Sequence, residues 1–376
     1  MSDAKKTFLY DQHVALGGRV VDFHGWLLPL QYDGILAEHG YCRTQVALFD
    51  TSHMGQFILE GSDVAAGVSR LLTHDVTRLP VGRCRYTHLL NERGGIIDDA
   101  VVMRLGEREF LFAANAAPAP MDLYWIRHHL AGDAVVTNQS EGWGKVDVQG
   151  PLAYDVLAPL VDGDLASLRY FRAARMTCMG VPAIVSRTGY TGELGYEVHY
   201  PGDALPALWS RLVEDERVHP AGLGARDLLR LEMCFPLYGK DIADDSNPLE
   251  ADLELFVSTV HDYIGAQALR KWAAEGVRRK LVPFRSETRR SAREGNPILA
   301  DDRPVGVVTS GAFSPSLGVS IGMGYVEAPF ADVGRRLTVE TARAKLPVVV
   351  SEKPLYRKGT RRMKPSELRA RTAGKS

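Results

Sequence analysis

Two adjacent carboxylates stand inside an apolar run at Gly94-Gly-Ile-Ile-Asp-Asp-Ala-Val-Val102. Apolar pairs bracket Asp98 and Asp99, which is the pattern of a strand, and strand geometry sends their side chains to opposite faces of the sheet. Burying either one costs several kcal/mol unless it is paired or hydrogen-bonded. One reading is a turn-edge pair that caps local backbone amides. The other is a strand that presents one carboxylate into a pocket, where it can accept a proton. Glu197 poses the same problem inside the alternating run Gly195-Tyr-Glu-Val-His-Tyr200. Ala221-Gly-Leu-Gly-Ala-Arg-Asp-Leu-Leu-Arg-Leu-Glu232 supplies Arg226 and Arg230 one helical turn apart, and a buried salt bridge from Glu197 to an arginine is one expectation. Asp22-Phe-His-Gly-Trp26 and Phe49-Asp-Thr-Ser-His-Met54 are dense in aromatic and polar residues, as a core-plus-turn segment or a site wall would be.

Other chemistries lack their residues. Gly222-Leu-Gly-Ala-Arg-Asp227 has two glycines of a dinucleotide fingerprint but not the third, and no clear strand is expected before it. Gly189, Gly192 and Gly195 precede a strand, so they form a hairpin rather than a phosphate loop opening a helix. No GxxxxGK[ST], HExxH or GxSxG occurs. His128 and His129 point about 100° apart on a helix and cannot share a metal, so no metal is expected. Cys42, Cys84, Cys178 and Cys234 form no CxxC pair and read as inert thiols.

These residues need a scaffold. Ser62 as a cap, followed by Val64, Val68, Leu71 and Leu72 on one face, predicts a helix. Asp203 as a cap with Leu205, Leu208, Trp209 and Leu212 predicts another. Pro118 and Pro120 open a third that runs to about Leu130, and Pro151 opens a fourth that ends before Pro159. Between them lie strand-like runs at 107–114, 181–186 and 195–200, with hairpin turns at 93–95 and 189–192. The fold class read from this pattern is α+β with mostly antiparallel sheets. After about residue 280 helix signals fade and proline-punctuated β runs predict a small barrel or sandwich. The last dozen residues, from about Lys364, read as a disordered basic tail.

The chain has 376 residues, enough for two or three domains, with 45% hydrophobic and 24% charged residues. That composition excludes a coiled coil, a fibrous repeat and a mainly disordered chain. No apolar run reaches the roughly 18 residues of a membrane span, and no apolar stretch follows Met1–Lys6, so no membrane association or secretory signal is expected and the expected compartment is cytoplasmic. The net charge of -1 hides an asymmetry. Residues 1–265 hold 22 Lys and Arg against 36 Asp and Glu, while residues 266–376 hold 23 against 10, a net of +13. This basic segment is either a solvated surface or a dock for an acidic partner. No nucleic-acid module is present and no nucleic acid is expected.

The chain resembles the aminomethyltransferase (T-protein) family of the glycine cleavage system. The matching stretches are Val21-Asp-Phe-His-Gly-Trp, Phe49-Asp-Thr-Ser-His-Met-Gly, Gly94-Gly-Ile-Ile-Asp-Asp, Val148-Gln-Gly-Pro, Arg187-Thr-Gly-Tyr-Thr-Gly-Glu-Leu-Gly-Tyr-Glu, Gly222-Leu-Gly-Ala-Arg-Asp and Ser310-Gly-Ala-Phe-Ser-Pro-Ser-Leu-Gly. Seven motifs in order, from about Leu9 to Arg357, carry the resemblance. It implies a three-domain cloverleaf of two mixed α/β folate-binding subdomains and a C-terminal β-barrel around a central funnel. By position the first subdomain is 1–52 with 140–265, the second 53–139, the barrel 278–360, and the tail 364–376. It implies transfer of a one-carbon unit from the aminomethyl-dihydrolipoyl arm of the lipoylated H-protein to tetrahydrofolate, the co-substrate, with release of ammonia and no metal.

Carried over by position, Asp99 matches the family's catalytic aspartate. A carboxylate near the N5/N10 edge can accept or orient a proton and stabilise an iminium-like cation, while Asp98 points away and serves structure. Glu197 matches the residue that hydrogen-bonds the pteridine, where two parallel N–H···O bonds give orientation. Tyr86 and Tyr190 match ring-contacting positions. Asn115 and Met54 match pocket positions, and Arg226 matches a folate-contacting arginine.

Departures from the family pattern fall at Ala114-Asn-Ala-Ala-Pro-Ala-Pro120, at Leu253-Glu-Leu-Phe256, which lacks a Trp, in a shortened loop before Tyr263, and in the basic stretch 285–294. The alternative within the superfamily is a tetrahydrofolate-dependent demethylase of a small methylated amine, sulfide or ether. A folate-binding module of iron–sulfur assembly is disfavoured, because its Cys-bearing signature is replaced by Leu237-Tyr-Gly-Lys-Asp241.

Overall fold

A computed structural model describes residues 4–286 and 288–373. A seven-stranded sheet runs in the order Val161–Asp162, Ala173–Cys178, Val181–Ser186, Gly195–Pro201, Trp143–Gln149, Val46–Asp50, Val218–Pro220. All its pairings are antiparallel except that of Val218–Pro220 with Val46–Asp50. A five-stranded antiparallel sheet is ordered Cys84–Leu90, Ile96–Gly106, Glu109–Ala114, Gly55–Glu60, Val135–Asn138. Every strand of this second sheet is inserted between Val46–Asp50 and Trp143–Gln149, which are neighbours in the first. The chain therefore crosses between the sheets at 51–54 and again at 139–142.

Period-two alternation assigns the faces of the first sheet. Val146, Val148, Tyr196, Val198 and Tyr200 pack in an apolar core with Leu205, Leu208, Trp209 and Leu212 of helix Leu205–Val213. The intervening residues Lys145, Asp147, Gln149, Glu197 and His199 are all buried on the other face. In the second sheet Ala100 and Val102 face helices Val64–Leu71 and Ala119–His129. Val101 and Met103 face the first sheet and pack with Ala173 and Ile184. The two sheets thus meet along a seam whose walls come from both.

Strands Arg279–Ser286, Val319–Glu327, Arg303–Ser314, Pro297–Ala300, Arg336–Glu340 and Lys345–Val350 close into a barrel. Helix Leu223–Glu232 joins it to the rest. Arg230 donates to Asp241 (2.5 Å) and to barrel Ser310 (2.7 Å). Glu232, wholly buried, accepts from Arg43 Nη2 (2.6 Å), from barrel Ser316 (3.1 Å) and from barrel Ser314, and lies 3.0 Å from His39 Nε2.

Several local expectations change. Ser62 does not cap; its hydroxyl donates to Asp133 (2.6 Å), and helix Val64–Leu71 begins behind Asp63 with no side-chain cap. Asp203 also lies outside the cap position, which Ala204 takes. A short strand does precede Gly222, but a Cβ there would sit 2.4 Å from the Leu30 backbone, so the glycine serves close helix–strand packing. Residues 242–269 pack through Ile242, Leu253, Tyr263, Ala266 and Leu269 onto Leu90 and Ile96 of the second sheet, not onto the first. Part of the expected tail is a helix, Pro365–Ala373, because Leu368 and Met363 find the core of the first sheet; residues 374–376 lie outside the described residues.

Burial alone raises the Glu232 carboxyl, but the His39 hydrogen bond and the Arg43 charge outweigh it and hold the pKa at about 2. A carboxyl depressed this far from 4.5 contributes roughly 3 kcal/mol of stability. That contribution is complete above pH 4.5 and is lost as pH falls through about 2. Denaturant titrations of Glu232→Gln should therefore show it less stable than wild type by about that amount at pH 7. The gap should close below pH 4, and a gap that is constant with pH contradicts the assignment.

Candidate functional site

The seam places the residues singled out in the sequence in two linked groups. The first lies on strand Ile96–Gly106 and its neighbours. Asp98 is fully buried on the helix-covered face, and Asp99 is half-buried on the face toward the first sheet. The Tyr86 hydroxyl, from strand Cys84–Leu90, donates to Asp99 Oδ2 (2.8 Å). Asn115, just beyond strand Glu109–Ala114, donates its side-chain amide to Asp99 Oδ1 (2.9 Å) and to Asp98 Oδ1 (2.8 Å). The Asn115 backbone N–H donates to Asp98 Oδ2 (3.0 Å), so one residue indexes both carboxylates. The Tyr86 ring stands edge-on to Phe256, 4.8 Å between centroids, which fixes the hydroxyl.

Electrostatics separates the roles of the acids. Burial, with the nearby Asp98 charge, pushes Asp122, on helix Ala119–His129, up to about 11, so it keeps its proton at neutrality. Burial and the adjacent Asp99 charge raise Asp98 to about 7. Burial also raises Asp99, to about 6, against the Tyr86 and Asn115 hydrogen bonds that favour its charged form. Asp99 is thus a partly accessible carboxylate, ionised at neutral pH but close to the pH at which it takes up a proton. That is what a general base or proton-orienting group requires.

The second group lies on the first sheet. Glu197, 7% exposed, has no arginine partner. Lys145 Nζ donates to Glu197 Oε1 (2.8 Å), and the Thr188 hydroxyl donates to Oε2 (2.5 Å). Lys145 also donates to Asp147 Oδ1 (2.8 Å), and Arg226 Nη1 donates to Asp147 Oδ2 (2.7 Å). The expected salt bridge from Glu197 to Arg226 or Arg230 is replaced by an alternating chain, Arg226–Asp147–Lys145–Glu197. Met54, at the crossing between sheets, places its sulfur 3.7 Å from Lys145 Nζ. Arg230 turns away to the barrel.

Tyr190 lies beside Arg226 of the second group. The Arg226 guanidinium lies 5.1 Å from its ring centroid, and Phe235 stacks on the ring at 5.7 Å. The Tyr190 hydroxyl donates to the Pro236 carbonyl. Arg361 then lies 5.3 Å from the Phe235 centroid, with Nη1 buried and lacking a hydrogen-bond partner. A cleft here is lined by Gly192, Met233, Tyr356, Arg357, Arg361 and Arg362.

Lys145, Asp147, Asp122 and Arg361 were missed in the sequence. Lys145-Val-Asp147 did leave a signal, two charges at period two in a strand otherwise apolar. The four cysteines are buried, free and raised by burial, Cys42 to about 12 and Cys178 and Cys234 to about 11. Among the described residues no group of three His, Cys, Asp or Glu is placed to hold a metal ion.

Comparison with known proteins bears on this arrangement. The family model of the GCVT N-terminal domain matches residues 9–261, and that of the glycine cleavage T-protein C-terminal barrel domain matches 279–357. An aminomethyltransferase of Halothermothrix orenii is 41% identical over 339 residues, covering 89% of this chain and 95% of the relative. One of Rubrobacter xylanophilus is 42% identical over 358 residues, covering 94% and 95%. The crystal structure of glycine cleavage system aminomethyltransferase T from Bartonella henselae superposes with a TM-score of 0.90 at 33% identity, over 95% of this chain and 99% of that one.

The pair Tyr86–Asp99 makes a pH prediction. A hydrogen bond to a charged group contributes roughly 1.5–3 kcal/mol, and it lowers the carboxylate pKa. In 13C-aspartate NMR titrations Asp99 should titrate near pH 6 in the wild type. In Tyr86→Phe it should titrate about one unit higher. A midpoint that stays in place or moves down would show that the Tyr86 hydroxyl does not act on Asp99.

Proposed function

The chain belongs to the glycine cleavage T-protein (aminomethyltransferase) family, and from that membership and the geometry of the seam we propose that it moves a one-carbon unit from the aminomethyl-dihydrolipoyl arm of a lipoylated H-protein to tetrahydrofolate, with ammonia released, in the cytoplasm. The observation that carries this reading is the half-buried Asp99, held by Tyr86 and Asn115 and titrating near neutrality, on the same seam as the acceptor Glu197.

The residues present fit a folate. An ionised carboxylate offers about four lone-pair sites. Lys145 and Thr188 use one on each Glu197 oxygen, which leaves one free site on each, a matched pair for two parallel N–H donors of an amino-pyrimidine edge. Tyr190 supplies a ring face, and Arg226, 15% exposed at its side chain, is oriented by Asp147. The guanidinium groups of Arg357, Arg361 and Arg362 that line the cleft fit the carboxylates of a glutamate tail. Met54 and Asn115 form wall positions between the two groups.

Tetrahydrofolate supplies the nitrogen nucleophile that takes up the one-carbon unit. Every other task falls to the chain. Asp99 accepts or orients the proton at the reacting nitrogen and sets a negative charge beside the positive charge that develops as the amine departs. Tyr86 and Asn115 keep the carboxylate aimed and ionised. Asp98 stays on the far face and anchors Asn115. The basic C-terminal segment 266–376, net +13, offers a surface for the acidic carrier.

Incubation with tetrahydrofolate should yield 5,10-methylenetetrahydrofolate and ammonia from aminomethylated H-protein, and nothing from dimethylglycine or sarcosine. 5-Methyltetrahydrofolate formed from the small amines alone, by methyl transfer without oxidation, would move the chain to a demethylase role. Association with the H-protein should weaken by about tenfold or more between 0.05 and 0.5 M salt, since surface attraction is screened over that range. A flat salt dependence would remove the basic surface from the account.

A further inference from the structure

Lys145 is a lysine in an unusual setting, with its side chain 1% exposed. Its ammonium carries three N–H donors, and all three are used within the protein, to Asp147 Oδ1 (2.8 Å), Glu197 Oε1 (2.8 Å) and Thr51 Oγ1 (3.2 Å). It has no donor left for a ligand and no surface on which to meet one. Yet it is an inner member of a chain whose two ends keep more exposure than its middle. Arg226 and Glu197 are 15% and 10% exposed at their side chains, while Lys145 and Asp147 are 1% and 0%. The four charges alternate and sum to zero.

We propose that Lys145 is a positioning residue that determines pterin specificity: with Thr188 it clamps the Glu197 carboxylate so that one acceptor site on each oxygen faces the pocket, and through Asp147 it holds Arg226 in register with that carboxylate. The inference rests on the reading of Glu197 as the group that recognises the pterin edge. The clamp consists of two donors on opposite oxygens, from two different segments, which removes both rotations of the carboxylate about its last bonds. Register supports it. Asp147 lies opposite Glu197 on the adjacent strand, and Lys145 is two residues along on the same face, so the ammonium bridges both carboxylates without bending either strand.

The test is a pair of ligands titrated calorimetrically against four proteins. The ligands are tetrahydrofolate and an analogue whose 2-amino group is replaced by methyl. The proteins are wild type, Lys145→Met, Glu197→Gln and Lys145→Met/Glu197→Gln, each checked for fold by near-UV circular dichroism. Wild type should prefer tetrahydrofolate by at least about tenfold, because the analogue leaves an acceptor unpaired. Lys145→Met should cut the preference to about threefold or less, with little change in affinity for the analogue, and should add little in the Glu197→Gln background. If Lys145→Met does not fold, Lys145→Met/Asp147→Leu removes the inner ion pair as a neutral unit and should lose the same preference. Selectivity kept in the Lys145 variants but lost in Glu197→Gln overturns the proposal and leaves the folate reading intact. An equal loss of affinity for both ligands also overturns it, since that is a structural role alone. A wild-type protein indifferent to the 2-amino group overturns the reading of Glu197, and the proposal with it.

Discussion

A carboxylate leaves water only where donors replace the water, and this fold buries or half-buries Asp98, Asp99, Asp122, Asp147, Glu197, Glu232 and Asp241 close to the junctions between its parts. The solutions differ, and the differences assign the roles. Asp147 is flanked by Lys145 and Arg226, and it is held to about 2, against burial, by their charges and hydrogen bonds. Asp122 meets no cation and stays protonated. Asp99 receives only neutral donors, Tyr86 and Asn115, so it alone combines partial exposure with a midpoint near neutrality. Permanent ion pairs build the frame, and the half-buried carboxylate held by neutral donors is left to exchange a proton.

The topology makes this placement possible. Because the second sheet is inserted between two adjacent strands of the first, the chain crosses at 51–54 beside the strand bearing Lys145 and Asp147. Thr51 and Met54 therefore reach Lys145 while Asn115 and Tyr86 reach Asp99. Helix Leu223–Glu232 serves three neighbours at once. Arg226 faces Asp147 in the chain of charges on the first sheet, Arg230 the barrel, and Glu232 the knot of His39, Arg43 and the barrel serines. A shift of that helix would disturb ligand contacts and barrel seating together.

Local periodicity carried much of this to the sequence level. The apolar faces of 64–71 and 205–213, the alternation of 195–200 and the opposite faces of Asp98 and Asp99 follow from side-chain direction along one element, and the structure shows each of them. Long-range register was not legible. Nothing local says that Lys145 lies across from His199, one strand pairing from Glu197, so an arginine on a helix looked the better partner. Arg361 was invisible for the same reason, since it reaches Phe235 only after the C-terminal run returns across the body, where its amide bonds the Gly192 carbonyl. Caps at Ser62 and Asp203 failed because a neighbouring partner or a one-residue offset displaced them. Leu368, alone in a polar run, reads as tail until the core that receives it is known.

The central claim is that the Asp99 charge acts on the chemical step. Its most direct test is the single-turnover rate of ammonia release from aminomethylated H-protein in the presence of tetrahydrofolate, wild type against Asp99→Asn, with folate affinity measured in parallel. Asn keeps the shape and one acceptor oxygen, enough for the Asn115 amide with the Tyr86 hydroxyl turned to accept, but removes the charge and the second accepting oxygen. The account predicts a rate lower by about a hundredfold or more, with folate affinity changed by only a few-fold. An unchanged rate, or a loss that appears wholly in folate affinity, would contradict it.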